Sequence, residues 1–441
     1  MAANILVSYD NITAPFPDVQ TLLAKTREAA GQKISDPAKA DARVASIAAA
    51  LQAMQTSQGK YPKVMHTPRD QVGSLLQSHI ARQAAQNNKL QQFLLKGLSF
   101  IFEGFEVRFS QADWFEWILS FFTWIDDIVP ANFLTAPDEP EPIPNNFRMA
   151  VIGDWGTNLY GAPHVADSVK NDPQGWDLLL HLGDTYYSGL PEEMTERFLP
   201  PIWPSLPGVT SRYLNGNHEM YSGGHAYFEQ ILPAFQQKAS YFALQNDCWI
   251  LVGLDTAYNQ PFGGQTGDLN QNQIDWLRKI IQGAENRRVV LFTHHEPYSL
   301  YETAGTALTD KLGEFLTAGK IFAWYWGHEH RCLLYDVHET YKCFGRCVGH
   351  GGFPQDRPDL SNAPRTPDSD QWRILSKTDN APGARIVDSP NVYIAGYEAQ
   401  FAPNGFMRLE FQDQRLTEYV RAPDGANIYL QDLPMAVKAG G

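Results

Sequence analysis

Six short apolar runs, each closed by a polar residue, limit what this chain can fold into. They read MAVIGD, LLLHLGD, SRYLNGNHE, WILVGLD, VVLFTHHE and FAWYWGHEH. Windows with helical periodicity lie between some of them, for example at 270–281. Strands that alternate with helices are typical of a layered α/β domain. The runs at 406–430 instead indicate antiparallel strands with a turn at Asp424-Gly425, and VYIAGYEAQ at 392–400 is predicted as a further strand.

The polar residues at the ends of these runs fall into five groups. They are Gly153-Asp154, Gly183-Asp184, Gly216-Asn217-His218, Thr293-His294-His295 and Gly327-His328-Glu329-His330. The first three groups follow one another at intervals of about one βαβ unit, which is ~30 residues. Because ligands of open α/β sheets gather at the carboxyl ends of strands, we expect these side chains to lie side by side.

Such a cluster of carboxylates, an amide and imidazoles needs a counter-ion. Left empty, it would bury like charges at a cost of several kcal/mol. Mixed oxygen and nitrogen donors suit divalent and trivalent first-row metal ions. The donors exceed the needs of one ion, so we predict two ions, about 3.5–4 Å apart, that share Asp184. Two tyrosines, Tyr186 and Tyr187, follow Asp184 closely in the sequence. If a tyrosine binds an ion as phenolate, its hard negative charge would favour Fe³⁺.

The motifs GDxG (153–156), GDxxY (183–187), GNHE (216–219), a histidine after a strand, and GHxH (327–330) occur in this order. The set resembles the purple acid phosphatases within the calcineurin-like metallophosphoesterases, over residues 148–331. The resemblance implies a fold of the α/β (α+β layered) class, a β-sandwich flanked by helices. It also implies two metal ions, Fe³⁺ with Fe²⁺, Zn²⁺ or Mn²⁺.

Carried over by position, the resemblance assigns seven metal ligands. They are Asp154, Tyr187 and His330 for the first ion, Asn217, His328 and His294 for the second, and Asp184 between the two. Tyr187 stands at the ligand offset, so Tyr186 is assigned to packing. Strand register favours His294, whereas counting back from Pro297 favours His295; we prefer His294, with His295 nearby and able to contact substrate.

Three further residues are given roles around the ions. His218 in the family faces the leaving-group oxygen and is assigned as general acid, oriented by Glu219. His350 lies in a glycine-rich turn. It is assigned either a contact with one of the metal ligands or a structural place in the turn.

The implied reaction is hydrolysis of a phosphate monoester by a metal-bound hydroxide, as in acid phosphatases. A phosphodiesterase acting on nucleotides or lipid headgroups is the main alternative. A non-catalytic binding module is a lesser one, because it predicts missing ligands and none is missing. The partner is therefore expected to be a small-molecule phosphate ester.

The region before these motifs has a different pattern. Residues 1–134 are predicted as helical, 135–147 as a linker rich in proline and acid, and 148–435 as the phosphoesterase domain. Helix starts are predicted at Asp36-Pro37 and Thr67-Pro68. A third helix places an aromatic stripe, from Trp114 to Ile125, on one face; the stripe is read as helix–helix core or as a docking face for a membrane or protein.

Charge and composition exclude several classes of protein. The net charge of −14 argues against a nucleic-acid surface. The N-terminus lacks the pattern of a signal peptide, and the apolar stretch at 117–125 is far shorter than a membrane span, so a cytoplasmic protein is expected. Four cysteines do not make a disulfide scaffold, and buried thiols are expected at Cys332, Cys343 and Cys347.

Overall fold

The computed structural model describes residues 36–61, 64, 68–87, 128–260, 265–367 and 369–434, together with the single residues 24, 27, 28, 121, 124 and 125. These residues fall into two compact units divided after Pro130, with Tyr221–Gly223 grouped with the first unit. The predicted linker at 135–147 contains the first strand and the start of the second. The predicted division of the chain into residues 1–134, 135–147 and 148–435 stays a prediction.

The first unit contains the helices α1 (Pro37–Lys60) and α2 (Gln71–Asn87). The helix α1 begins where predicted, because Asp36 Oδ1 accepts a hydrogen bond from the Ala38 amide at 2.9 Å. The helix α2 begins later than the Thr67-Pro68 signal, since Asp70 Oδ1 accepts from the Gly73 amide at 2.7 Å and forms the cap. None of the described helices is both long and apolar enough to span a bilayer.

The predicted aromatic helix lies mostly outside the described residues. Of its stripe, Phe121 and Ile125 are described, and both are buried. Their burial agrees with a core role at those two positions.

Among the described residues, the second unit carries the sheets and seven further α-helices, of which α5 ends at Tyr221 of the first unit; a short 3-10 helix (Gly156–Asn158) and a π-helix (Tyr227–Ile231) add to them. The helices are α3 (Ala162–Lys170), α4 (Pro191–Arg197), α5 (Asn217–Tyr221), α6 (Leu232–Ala234), α7 (Gln271–Gln282), α8 (Ala307–Lys311) and α9 (Gly313–Thr317). The strands are β1 (Glu141–Pro142), β2 (Asn146–Ile152), β3 (Leu178–His181), β4 (Thr210–Tyr213), β5 (Phe242–Gln245), β6 (Trp249–Gly253), β7 (Arg288–Thr293), β8 (Ile321–Trp326), β9 (Cys332–Tyr335), β10 (Phe344–Val348), β11 (Arg365–Thr366), β12 (Ser369–Leu375), β13 (Ala384–Val387), β14 (Phe406–Gln412), β15 (Arg415–Arg421) and β16 (Asn427–Asp432).

These strands form two sheets with parallel centres. One sheet has ten strands in the order β1-β5-β6-β7-β8-β10-β9-β13-β12-β11, and the other has six in the order β16-β15-β14-β2-β3-β4. The strands β2, β3 and β4 run parallel in the smaller sheet, and β6, β7 and β8 run parallel in the larger. Both sheets therefore present the carboxyl ends of neighbouring strands at one edge.

The core lies in three layers, because side chains of each strand alternate between its two faces. On β2, Phe147, Met149 and Val151 pack in the cluster between the sheets, whereas Ala150 and Ile152 pack under the helices of the other face. A third cluster covers the outer face of the larger sheet beneath α7. Two packed sheets with helices on both outer faces confirm the predicted α/β sandwich.

One strand prediction is wrong. Residues 392–400, read as VYIAGYEAQ, form successive turns. Asn391 Oδ1 accepts from the Tyr393 amide at 3.1 Å, and Gly396 has a φ of 84°. This turn chemistry outweighs the strand propensity of the aromatic and β-branched residues. The runs after it do form the antiparallel strands β14, β15 and β16.

Candidate metal centre

The carboxyl ends of strands from both sheets bring six of the seven predicted metal ligands together. From the smaller sheet come Asp154, Asp184 and Asn217, which follow β2, β3 and β4; from the larger come His294, His328 and His330, which follow β7 and β8. All six side chains are buried. Polar groups this deeply buried need a hydrogen-bond partner, an opposite charge or a metal ion.

A first group of donors consists of Asp154, Asp184 and His330, whose ligand atoms all lie within 4.8 Å of one another. Asp154 Oδ1 is 3.3 Å from His330 Nε2. The other oxygen, Asp154 Oδ2, accepts from the backbone amide of His328 at 2.9 Å. The carboxylate thus has one oxygen anchored to the chain and one directed at the imidazole.

A second group converges on His294 Nε2. This nitrogen is 2.8 Å from Asn217 Oδ1, 3.1 Å from His328 Nδ1 and 3.3 Å from Asp184 Oδ2. The opposite ring nitrogen, His294 Nδ1, donates to the carbonyl of Leu182 at 2.9 Å. Such a bond fixes the tautomer, so that the Nε2 lone pair of the neutral ring faces the other donors. Asp184 lies in the first group and contacts the second, as a bridging ligand must.

Four electron-rich atoms at these distances need a cation among them. Without a metal ion, that cation is a proton. Burial by itself would lower the pKa of His294, but the charge and hydrogen bond of Asp184 outweigh it and raise the pKa to about 9. Burial disfavours ionisation of Asp184, yet His294 and His218 hold the pKa of this carboxyl well below its usual range. The donor set therefore fits a divalent or trivalent ion.

Glycines allow this close approach. Gly183 has a φ of 104°, and a Cβ there would lie 2.7 Å from His294 Nδ1. At Gly327 a Cβ would lie 2.7 Å from Asp154 Oδ2. Any side chain at these positions would displace a proposed ligand, which explains the glycine in the GD and GHxH motifs.

His295 lies beside the second group. Its Nδ1 is 2.9 Å from Thr256 Oγ1, and its Nε2 is buried without a hydrogen-bond partner among the described residues. One ligand atom of His295 lies within 4.8 Å of those of His294 and His328. Burial holds the pKa of His295 well below its usual value, so its ring is neutral. Asn217 and Asp184 converge on His294, and the choice of His294 over His295 as ligand stays a prediction.

The two tyrosines of GDTYY make different contacts. The hydroxyl of Tyr186 is in hydrogen-bond contact with His330 Nε2, and the side chain is fully buried. Its ring also packs against those of His218 and Phe353. The backbone carbonyl of Tyr187, which the sequence predicts as a ligand through its phenol, accepts a hydrogen bond from His218 Nδ1. Tyr186, which the sequence assigns to packing, therefore also places its phenol next to His330 of the first group of donors.

His218, the predicted general acid, lies with Nε2 3.9 Å from Asp184 Oδ2. Because a carbonyl only accepts, the contact with Tyr187 requires a proton on His218 Nδ1, and Nε2 faces the cluster. This orientation is the one a proton donor to a bound substrate needs.

Glu219 contacts three backbone amides and the Tyr213 hydroxyl rather than the side chain of His218. One of its oxygens accepts from the amides of Asp184 and Gly216, and the other accepts from the Thr185 amide and the Tyr213 hydroxyl, all within 2.9 Å. None of these bonds reaches His218. Burial, followed by the charge of Asp184, raises the pKa of Glu219 to about 7. In this structure Glu219 positions the loop that carries Asp184.

The remaining predicted residue, His350, is buried next to Gly349, whose hypothetical Cβ would lie 2.7 Å from Asp154 Oδ2. Two contacts of the site had no signal in the sequence. Gln355 Oε1 lies 3.1 Å from His330 Nδ1, and the Leu182 carbonyl orients His294. Both depend on how loops fold back on the strand ends, which residue spacing does not encode.

The structure is a two-sheet α/β sandwich with buried carboxylates and histidines at its strand ends, as expected for a calcineurin-like metallophosphoesterase. Residues 147–332, somewhat under half of the chain, match the family model of the calcineurin-like phosphoesterases. This segment is a calcineurin-like phosphoesterase domain, and it covers every predicted ligand. The predicted membership of the metallophosphoesterase superfamily is thereby confirmed.

Solved structures with a related fold are distant in sequence. A purple acid phosphatase from yellow lupin seeds aligns at 13% identity with a TM-score of 0.45, over 68% of this chain and 55% of its own. GAP50 of Plasmodium, described as the anchor in the inner membrane complex, aligns at 13% identity with a TM-score of 0.45, over 65% and 88% of the two chains. PhoD aligns at 12% identity with a TM-score of 0.41, over 68% and 70%.

The chain thus spans just over half the length of the lupin enzyme. A search of curated protein sequences gives no significant match. Because these alignments are distant in both sequence and structure, the reaction has to be argued from the site itself.

Proposed function

We propose that this chain hydrolyses phosphate monoesters at a pair of metal ions, in the manner of an acid phosphatase. One observation carries the proposal: Asn217 Oδ1, His328 Nδ1 and Asp184 Oδ2 all converge on His294 Nε2, within 3.3 Å. With its other nitrogen committed to Leu182, His294 offers a lone pair to a shared cation. We infer that the same cation is held by all four side chains.

The first ion would be held by Asp154, His330 and a tyrosine, and Asp184 would contact both ions. When bound, two such ions neutralise phosphoryl oxygens and make a water molecule a nucleophile near neutral pH. The mixed donor set suits Fe³⁺ paired with Fe²⁺, Zn²⁺ or Mn²⁺.

The chain's own residues would complete the reaction. Hydrolysis joins the water oxygen to phosphorus and breaks the bond to the leaving oxygen, which then needs a proton. His218 is held with Nδ1 on the Tyr187 carbonyl, so its protonated Nε2 can donate to that oxygen. Glu219 keeps the Asp184 loop in place by accepting hydrogen bonds from the amides of Asp184 and Thr185. Small displacements of such positioned groups are costly for catalysis.

The test combines metal analysis with two substrates. We expect the purified chain to hold two first-row ions and to hydrolyse an aryl phosphomonoester faster than a bis-aryl phosphodiester. Asp184→Asn should lower kcat/KM by at least about 100-fold, because losing even a partner of a metal ligand costs about 10–100-fold. Faster cleavage of the diester would favour a phosphodiesterase. A folded chain that holds no metal would indicate a binding module.

The adjacent histidines provide a matched control. Both His294 and His295 are fully buried, so alanine leaves a cavity of similar size at either position. His294→Ala should lose one ion per chain, whereas His295→Ala should keep both, as measured by elemental analysis of folded protein. Retention of two ions by His294→Ala, with loss in His295→Ala, would reverse the assignment.

A further inference from the structure

An open cavity of about 320 Å³ lies in the second unit, apart from the two groups of metal donors. It is formed by the segment between β10 and β11, by β12 and by the residue that follows β13. Its charged wall consists of Arg357, Asp359, Arg373 and Asp388. The volume is at the lower end of the range for small-molecule sites, which is about 300–1,000 Å³. The cavity therefore has room for a small charged molecule.

Asp388 fixes the two guanidinium groups of the cavity. Its Oδ1 accepts from Arg357 Nε at 2.5 Å, and its Oδ2 accepts from Arg373 Nε at 2.8 Å. Burial disfavours ionisation of Asp388, but the hydrogen bonds from the two arginines outweigh it and lower the pKa of this carboxyl. One buried negative charge thus holds two positive charges in place, and this arrangement reduces the ordering cost of binding a ligand.

The two arginines retain donors that the protein does not use. The side chain of Arg357 donates through Nε, and its Nη1 and Nη2 bond to none of the described residues. Arg373 also donates through Nη1 to the Ala363 carbonyl at 3.3 Å, which leaves its Nη2 without a bond to a described residue. The two side chains are 24% and 16% exposed, so solvent reaches both. Three guanidinium nitrogens are therefore available to a ligand.

Asp359 is the second acid of the wall, and its position differs from that of Asp388. It is exposed, and its Oδ1 accepts from the Ser361 amide at 3.0 Å. Water screens an exposed carboxylate much more than a buried one, so its repulsion of an anion is weak. The two partly buried guanidinium groups therefore favour an anionic ligand.

We propose that this cavity binds a phosphate group, free or carried by a small organic molecule, through Arg357 and Arg373. The three terminal oxygens of a phosphate monoester match the three available nitrogens, and the planar guanidinium group suits bidentate contacts with phosphate. A carboxylate has two oxygens and a single charge, and would leave one of these nitrogens unused. The inference does not rest on the proposed function, because no residue of the cavity belongs to the metal donors.

The cavity and the metal centre are connected by one short segment. Phe353 stacks on His330, with ring centroids 3.7 Å apart, and Gln355 Oε1 lies 3.1 Å from His330 Nδ1. Arg357 follows two residues later, so its Cα lies at most about 7 Å from that of Gln355. Because metal ions in the centre would bind phosphate themselves, the cavity has to be tested in the metal-free chain.

The experiment titrates the whole metal-free chain with inorganic phosphate and, separately, with glycerol phosphate, and measures binding by calorimetry. Arg357→Gln and Arg373→Gln should each weaken binding at least about 10-fold, because each removes charge-assisted hydrogen bonds. Either substitution leaves Asp388 paired with the other arginine, and circular dichroism checks that the variants stay folded. Arg365→Gln is the matched control, since it removes the same charge from the adjacent strand β11, outside the cavity. This control should bind phosphate as the wild type does.

The two ligands distinguish the sources of the phosphate group. Tighter binding of glycerol phosphate would support an organic phosphate ester as the ligand, and equal or weaker binding would support free phosphate. An equal loss of affinity in Arg357→Gln and Arg365→Gln would indicate diffuse attraction to positive charge and would contradict the proposal. Absence of saturable binding at millimolar concentrations of both ligands, or binding of acetate as tight as that of phosphate, would overturn it.

Discussion

His350 is a buried histidine whose ring nitrogens both lack a hydrogen-bond partner among the described residues. Its side chain is 1% exposed. Because an imidazolium buried without a partner loses its hydration, burial lowers the pKa of His350 from 6.5 to about 3. The ring therefore stays neutral in the folded protein over a range of pH in which the unfolded chain becomes charged.

Because the pKa of His350 is lower in the folded than in the unfolded chain, this residue should make the stability of the fold decrease in acid. Between pH 6.5 and 3 the unfolded chain binds one more proton at His350 than the folded chain, so the free energy of unfolding falls as the pH falls. The slope is at most about 1.4 kcal/mol per pH unit. His350→Leu should remove it. Urea unfolding from pH 8 to pH 5 would measure the difference between wild type and variant, with pH 8 as reference; a difference that is constant across this range would contradict the prediction.

At the residue scale, the sequence predicts which side chains after strands gather in the buried cluster, but not the contacts that come from loop conformation. Asp154, Asp184 and His294 could be placed because a strand end fixes both the edge and the direction of the chain. The Tyr186 contact depends on a left-handed φ at a non-glycine residue, and the Gln355 contact depends on a turn that folds back from β10. Residue spacing carries neither feature.

At the scale of elements, the apolar runs predict individual strands but not their partners. The strand β10 pairs with β8 in parallel and with β9 antiparallel, so the order along the larger sheet departs from the order along the chain. The strands β14 and β15 join β2 in the smaller sheet. Such pairings join distant segments, and the local periodicity of a run cannot specify them.

A buried ion pair links the two sheets. Arg346 on β10 donates from Nε to both oxygens of Glu418 on β15, at 2.9 and 3.0 Å. Tyr325 on β8 adds its hydroxyl to the same carboxylate at 2.6 Å. Arg346 also donates through Nη1 to the Tyr335 carbonyl at 2.9 Å. Both charges are almost fully buried, so each depends on the other for compensation.

Breaking this pair from either side should be more costly than removing it whole. Arg346→Met or Glu418→Leu alone leaves one uncompensated buried charge and should lower the free energy of unfolding by about 3–5 kcal/mol. The double variant should lose clearly less than the sum of the two single losses. Urea denaturation of all four proteins forms a double-mutant cycle. Additive losses would show that the two side chains do not stabilise each other.

At the scale of the whole molecule, the proposed metal centre lies between two sheets that share one apolar cluster. The smaller sheet supplies Asp154, Asp184 and Asn217, and the larger supplies His294, His328 and His330. Ions bound by both sets would cross-link the two sheets at the carboxyl ends of their strands. Stability of this unit should therefore depend on metal as well as on its hydrophobic core.

Removal of metal by a chelator should lower the melting temperature of the whole chain. An ion that binds only the folded state, at 100 times its dissociation constant, contributes about 2.7 kcal/mol. At about 2–4 °C per kcal/mol for a large domain, the shift should reach at least about 5 °C, and restored metal should reverse it. Asp184→Asn is the reference, since it removes the oxygen charge predicted to contact both ions: its melting temperature should change little on chelation. A shift of equal size in wild type and variant would mean that the chelated metal lies elsewhere, and the cross-link between the sheets would then have to be abandoned.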